Sequence, residues 1–290
     1  MTAFSLAVLK IISVLTAVVM MPLSLLTSGL DLINYPKQPE SIKTNIAGFG
    51  AIFRSQGITA DGESFYFSSK TTLIKTQDDY RTPLAVNLSA IPGELKEKYG
   101  IKHIGGISFY KGKIYAGMED SKVWKYPIVG VFNADTLEFE DYFILGETEI
   151  TEDGEKLVVS RGLPWVAVDG ESGLLYCTDH SKKPKRLLAF DVNDGMKKKA
   201  VINLSESVPS IQGGEIFNGV LYAATNDDTA SVYKIDIQSG KAEKLFDRNL
   251  LGGEGEGLTL KIVDGKPVIF ALDMGTIFVN CFVREYEAIK

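Results

Sequence analysis

The sequence predicts an all-β fold, a five-bladed β-propeller of four-stranded antiparallel blades. Three observations predict it. One pattern recurs five times, its turn glycines recur at intervals near 50 residues, and most repeats hold four short strand-like runs.

The repeats are QGITADGESFYFSS (56–69), GGISFYKGKIYAGMED (105–120), WVAVDGESGLLYCTDH (165–180), GGEIFNGVLYAATNDD (213–228) and EGLTLKIVDGKPVIFALD (256–273). Their turn glycines are Gly62, Gly112, Gly173, Gly219 and Gly265, separated by 50, 61, 46 and 46 residues. Each glycine ends a D-G, K-G, S-G or N-G pair, the chemistry of a tight hairpin, because glycine accepts positive φ without a steric penalty. An aromatic residue follows on the next strand: Tyr66, Tyr115, Tyr176, Tyr222 and Phe270. Third strands are read in VGVFNADTLEF (129–139), RLLAFDVNDG (186–195), SVYKIDIQSG (231–240) and, more weakly, LIKTQ (73–77). Fourth runs are PLAVNL, DYFIL, KKAVINL and AEKLF.

One such blade has two apolar faces, and only two neighbouring blades can bury both, so the units close into a ring. The fifth unit stops after three strands, the last within TIFVNCFVREY (276–286). The apolar run IAGFGAIF (46–53) is therefore expected to close the ring as the missing strand. A six-bladed ring is the alternative, since the long third spacing contains EKLVVS (155–160). A hairpin insertion is the favoured reading of that segment, because a full four-strand unit does not fit there.

The amino end is of another kind. Ile11–Leu26 is a 16-residue uncharged run, preceded by Lys10 and followed by Asp31. Residues 1–30 are read as a signal peptide or a transmembrane anchor helix, residues 31–45 (with Pro36 and Pro39) as a linker, and residues 46–290 as the propeller. The charge order places the propeller outside the cytoplasm, secreted or membrane-anchored.

Composition is that of an ordinary globular chain: 45% hydrophobic, 23% charged, net charge -6 and a pI of about 5.2. It excludes a largely disordered chain and a polytopic membrane protein, and gives no support to nucleic-acid binding. The longest basic cluster is Lys182, Lys183, Lys185 and Arg186, read as a solvated loop. Cys177 and Cys281 form neither a disulfide framework nor a metal set.

In a propeller the loops leading into the innermost strands share one face with the loops joining second and third strands, and sites gather there. The leading residues are Gln56, His103, Arg161, Trp165, Gln212, Glu254 and Glu256. The other loops add Lys70, Glu119, Asp120, Asp179, His180, Asn226, Asp227, Asp228 and Asp273. Oxygen donors from several blades suit Ca²⁺ or another divalent cation. Turn acids that bond their own backbone are the alternative. His103 and Glu256 are the candidate acid–base groups, and Gln56, His103, Arg161, Trp165, Gln212 and Glu254 the candidate ligand-binding set. Trp165 can equally be a wedge between blades. Nucleophile-elbow, phosphate-loop and zinc-helix motifs are absent, and GGEGEGLTL (252–260) leads into a strand, unlike a dinucleotide fingerprint. Its glycines are expected to bring backbone close to the channel.

The repeats resemble the propeller superfamily that includes SMP-30/gluconolactonase-like, strictosidine-synthase-like and glutaminyl-cyclotransferase-like proteins. SQGITADG and EGEGLTL are similar to inner strands of the last group, which is five-bladed. The SMP-30-like resemblance implies a divalent cation at the channel and hydrolysis of lactones or esters, with Asn226, Glu256 and Asp273 as ligands by position. The function expected from the sequence is binding of a small molecule, peptide or protein at the channel face. The alternatives are a metal-dependent hydrolase or lyase and a cyclotransferase-like enzyme.

Overall fold

The computed structural model describes residues 41–44, 52–120, 125–145, 162–178, 181–248, 250, 253–275 and 280–287. The first strand, β1 (Ser41–Thr44), belongs to the last blade. Blade 1 contains β2 (Gly57–Ala60), β3 (Phe65–Ser68), β4 (Leu73–Thr76) and β5 (Pro83–Asn87). Helix α1 (Gly93–Tyr99) leads to blade 2, with β6 (His103–Tyr110), β7 (Lys113–Glu119), β8 (Ile128–Asn133) and β9 (Phe139–Ile144). Blade 3 has β10 (Ala167–Val168), β11 (Leu174–Cys177), β12 (Arg186–Asp191) and β13 (Lys197–Asn203). Blade 4 has β14 (Ile211–Phe217), β15 (Val220–Thr225), β16 (Ser231–Asp236) and β17 (Ala242–Asp247). Blade 5 has β18 (Gly255–Val263), β19 (Lys266–Met274) and β20 (Cys281–Glu287). All pairings within the blades are antiparallel, so the chain is a five-bladed β-propeller.

The five turn glycines all have positive φ, between 70° and 98°. At Lys111, Asn218 and Asp264 the preceding residue is also left-handed, as a two-residue hairpin of the right twist demands. The five aromatic residues that follow are buried, in cores between adjacent blades. At the seam between blades 5 and 1, Phe65 meets Tyr80 and Phe270 at ring centroid distances of 4.8 and 5.1 Å. Each such ring contributes about 1.5–3 kcal/mol of burial that one blade alone could not provide.

The ring closes with a strand from the amino end, but at a different place from the one expected. β1 pairs antiparallel with β20, Ser41 opposite Tyr286 and Thr44 opposite Arg284, as the outermost strand of blade 5. It lies in the segment read as linker. Residues 45–51, most of the expected closing strand, lie outside the described residues, and Ile52 is exposed. The outermost strand of a blade has little to bury, so the polar SIKT carries no apolar signature. Residues 1–40, with the leader, and 146–161, with EKLVVS, also lie outside the described residues. Among the described residues no helix is long and apolar enough to cross a membrane.

The innermost strands meet at the axis. A Cβ on Gly213 would lie 2.8 Å from the Gly257 Cα, and one on Gly257 would lie 3.2 Å from the Gly57 Cα. A Cβ on Gly57 would sit 2.9 Å from the Ile107 nitrogen, and one on Gly106 would sit 2.7 Å from the Gln212 carbonyl. Blades 2 and 4 are not neighbours in the ring, so their contact across the axis pinches the channel shut. Only glycine permits backbones this close, as expected for the glycines of the EGEGL segment.

Candidate functional site at the channel mouth

Above the glycine neck, side chains from three blades form a polar chain. His103, the first residue of β6, places Nε2 2.6 Å from Gln56 Oε1. Gln56 directs its amide to the Ser55 carbonyl at 2.6 Å and to Glu256 Oε1 at 3.5 Å. Since that amide nitrogen donates, Oε1 accepts and His103 Nε2 carries its proton. On its other side, His103 Nδ1 lies 3.9 Å from Glu119 Oε2, so a protonated imidazole meets a countercharge there. The sequence of contacts is Glu119, His103, Gln56, Glu256, from blades 2, 1 and 5.

Glu256 is the unusual member. It is 3% exposed, and the bond from Gln56 is long. Burial pushes its carboxyl well above the ordinary range, and the charges of Glu254 and Asp273 push the same way against Arg248. Glu256 sits beside a register irregularity between Gly255 and Leu258 in the β18–β19 pairing, which turns this segment toward the axis.

The remaining candidates fall into different places. Glu254 is half-buried beside Glu256, and its carbonyl accepts the Met274 amide at 2.8 Å. Gln212 is half-buried at the start of β14. Trp165 is fully buried in the core between blades 3 and 4, its indole N–H donating to Thr178 Oγ1 at 3.0 Å. Its ring is therefore part of the seam rather than of the mouth surface. Asp227 accepts the amide of Ser231 at 2.9 Å, a turn acid bonding its own backbone. Arg161, Asp179 and His180 lie outside the described residues.

The three residues placed as metal ligands do not form a free donor set. Asp273 is wholly buried and held by Arg248 through Oδ1 and by Arg284 Nε at 3.4 Å from Oδ2. Asn226 Oδ1 accepts the Gly255 amide at 3.3 Å. Among the described residues, no group of three or more His, Cys, Asp or Glu side chains is spaced to hold an ion. The residues present do not fit a divalent cation at this position, because two guanidinium groups already neutralise the central carboxylate.

Sequence reasoning passed over Arg248. It is completely buried, donating to the carbonyls of Ala230 (2.7 Å), Thr225 (3.0 Å) and Leu272 (3.5 Å) as well as to Asp273. It also passed over Glu215 on β14. This carboxylate accepts Thr259 Oγ1 at 2.9 Å from below the neck, and burial pushes it up to about 7. Thr59, Ser108, Ala167, Glu215 and Thr259 hold the equivalent position in the five inner strands, each opposite the aromatic residue of its blade. Neighbouring inner strands are tied at this level by Phe109 N to Thr59 Oγ1 (3.0 Å) and Val168 N to Ser108 Oγ (2.9 Å).

No family model and no curated protein matches the chain. Chains of solved structures do, 837 of them. A luciferin-regenerating enzyme aligns with a TM-score of 0.51 and 11% identity, over 85% of this chain and 96% of that one. Hydrazine synthase of Kuenenia stuttgartiensis aligns with a TM-score of 0.42 and 13% identity, over 82% of this chain. The chain spans 57% of the hydrazine synthase chain it matches. At 11% identity the likeness to the luciferin-regenerating enzyme is one of fold alone.

Proposed function

We propose that the chain is a ligand-binding propeller whose channel mouth takes a small molecule or peptide end carrying a cationic or hydrogen-donating group. The observation that supports it is Glu256. A buried carboxyl with one long hydrogen bond, beside a second carboxyl and above a closed neck, gains most from a donor arriving from outside. Gln56 and His103 supply hydrogen-bonding groups at its edge. The test is thermal unfolding of the full chain with a panel of primary amines, guanidines, amides and polyols. A ligand that binds only the folded state raises the midpoint. The reading expects a rise with one cationic or amide class that Glu256→Gln removes. The same response in Glu256→Gln, or none with any class, overturns it.

A second reading makes the mouth catalytic, and the same carboxyl favours it. A Glu256 that holds its proton is suited to general acid work, beside a His103 whose ring is oriented by Gln56 and Glu119. Hydrolysis of a panel of lactones and esters, lost in both Glu256→Gln and His103→Gln, distinguishes it from binding alone. The apolar run Ile11–Leu26 supports a place for the propeller outside the cytoplasm. Digestion of the propeller by protease added to intact cells tests that, and full protection overturns it.

A further inference from the structure

We propose that a cleft at the outer strands of blade 3, lined by none of the mouth residues, binds an oxyanion of the phosphate- or sulfate-ester type. The densest basic run of the chain, Lys182, Lys183, Lys185 and Arg186, joins β11 to β12. A cavity of about 340 Å³ opens beside it, lined by Ser181, Lys183, Pro184, Lys185, Arg186 and Asn203. Every polar side chain of that lining can donate a hydrogen bond, and no carboxylate is part of it.

Two features separate this loop from an ordinary solvated one. Its backbone is fixed: Leu204, Val208 and Ser210 donate their amides to the carbonyls of Lys185 (2.8 Å), Pro184 (3.3 Å) and Lys182 (3.2 Å), and Pro184 is buried. The cations are thus carried on a held frame. Among the described residues they also lack an acidic partner. None of the four forms an ion pair with a described residue, whereas Lys197, Lys199 and Lys234 on nearby strands each have an acid within 3.3 Å. In a chain of net charge -6, four cations in five residues repel one another, and a bound anion relieves that repulsion.

The geometry selects the ligand class. Arg186 faces Asn203 across the β12–β13 pair, which brings a planar guanidinium and an amide to one end of the cavity. A guanidinium fork matches the oxygen pair of a phosphate or sulfate, and two lysines add charge without directional demand. The volume lies at the lower end of the range for small-ligand sites, so it admits the oxyanion together with part of the group it esterifies. A soluble phosphate ester and a lipid headgroup share that chemistry.

The experiment is calorimetric titration of the full chain with inorganic phosphate and sulfate, at ionic strength held constant with chloride. It is paired with sedimentation on phosphatidylcholine vesicles with and without phosphatidic acid. The comparison protein is Lys183→Gln/Lys185→Gln/Arg186→Gln, whose first two changes are at exposed positions. Saturable phosphate or sulfate binding, weakened at least about tenfold in the triple variant, is the expected result. If the variant also loses the extra retention on phosphatidic acid, the headgroup is the source; if vesicle retention is unchanged, the source is a soluble ester. If the triple variant unfolds, the single change Lys183→Gln makes the same comparison. The proposal is overturned if neither anion binds above the chloride background and vesicle retention does not depend on these residues. Equal binding by the variant and the parent also overturns it.

Discussion

Arg248 at the end of blade 4 donates to Asp273 of blade 5, and both side chains are completely buried. The guanidinium also caps carbonyls of Thr225 and Ala230 in its own blade and of Leu272 in the next. One side chain therefore ties two blades directly beneath the acidic mouth. Replacing it leaves Asp273 with Arg284 alone as a charged partner. We expect Arg248→Met to cost about 3–5 kcal/mol of folding stability, measured by urea unfolding. Arg248→Met combined with Asp273→Leu should cost clearly less than the two single changes together. Strict additivity would show that the pair is not energetically coupled.

Gly213→Ala should loosen the neck and destabilise the fold. Its new Cβ would lie 2.8 Å from the Gly257 Cα, and both atoms belong to backbones with no room to retreat. A loss of about 1–3 kcal/mol is expected. Gly93→Ala, where nothing lies within 4 Å and the residue opens α1, is the matched control and should be neutral or mildly stabilising. Equal midpoints for the two variants would mean that the neck is looser than described.

Glu215 gives stability a pH dependence of definite sign. Its carboxyl is raised from the ordinary value of 4.5 to about 7 in the folded chain, mainly by burial. The folded state then holds a proton that the unfolded state has released. Its contribution is greatest below the ordinary value and declines as pH rises through about 7. Glu215→Gln, which retains an acceptor for Thr259, should flatten the midpoint between roughly pH 5 and 7.5. An unchanged slope in that window would place the titration elsewhere.

Glu256→Gln should separate stability from recognition at the mouth. The parent carboxyl is held well above its usual range by burial and by Glu254, so ionising it costs folding free energy. The amide removes that cost. The variant should therefore unfold at an equal or higher temperature than the parent at pH 8, while losing the proposed mouth ligand. A lower midpoint at pH 8 would mean that the ionised carboxylate has a stabilising partner.

The blades were legible because their chemistry is local. A glycine forced to positive φ and an aromatic residue three to five positions later mark a hairpin whatever surrounds it, and all five do so here. The channel-lining position was less legible. The hairpins between first and second strands differ in length, so Thr59, Ser108, Ala167, Glu215 and Thr259 stand at different distances from their turn glycines. Register, and not spacing, reveals Glu215 as the acidic member. Arg248 follows the last strand of a blade, where arginine is usually solvated, and only partners distant in sequence, the carbonyls of Thr225, Ala230 and Leu272 and the Asp273 carboxylate, explain its burial. The helix α1 was missed because seven residues hold little more than one turn of periodicity. Pro92 ahead of it and the left-handed Gly100 behind it were the available signals.

The glycine neck leaves the axis no room for a side chain. A Cβ on Gly213 would already meet the Gly257 Cα at 2.8 Å, and one on Gly106 the Gln212 carbonyl at 2.7 Å. A ligand seated against Glu256 would therefore have to leave by the opening through which it came, which makes the mouth a dead end and not a passage.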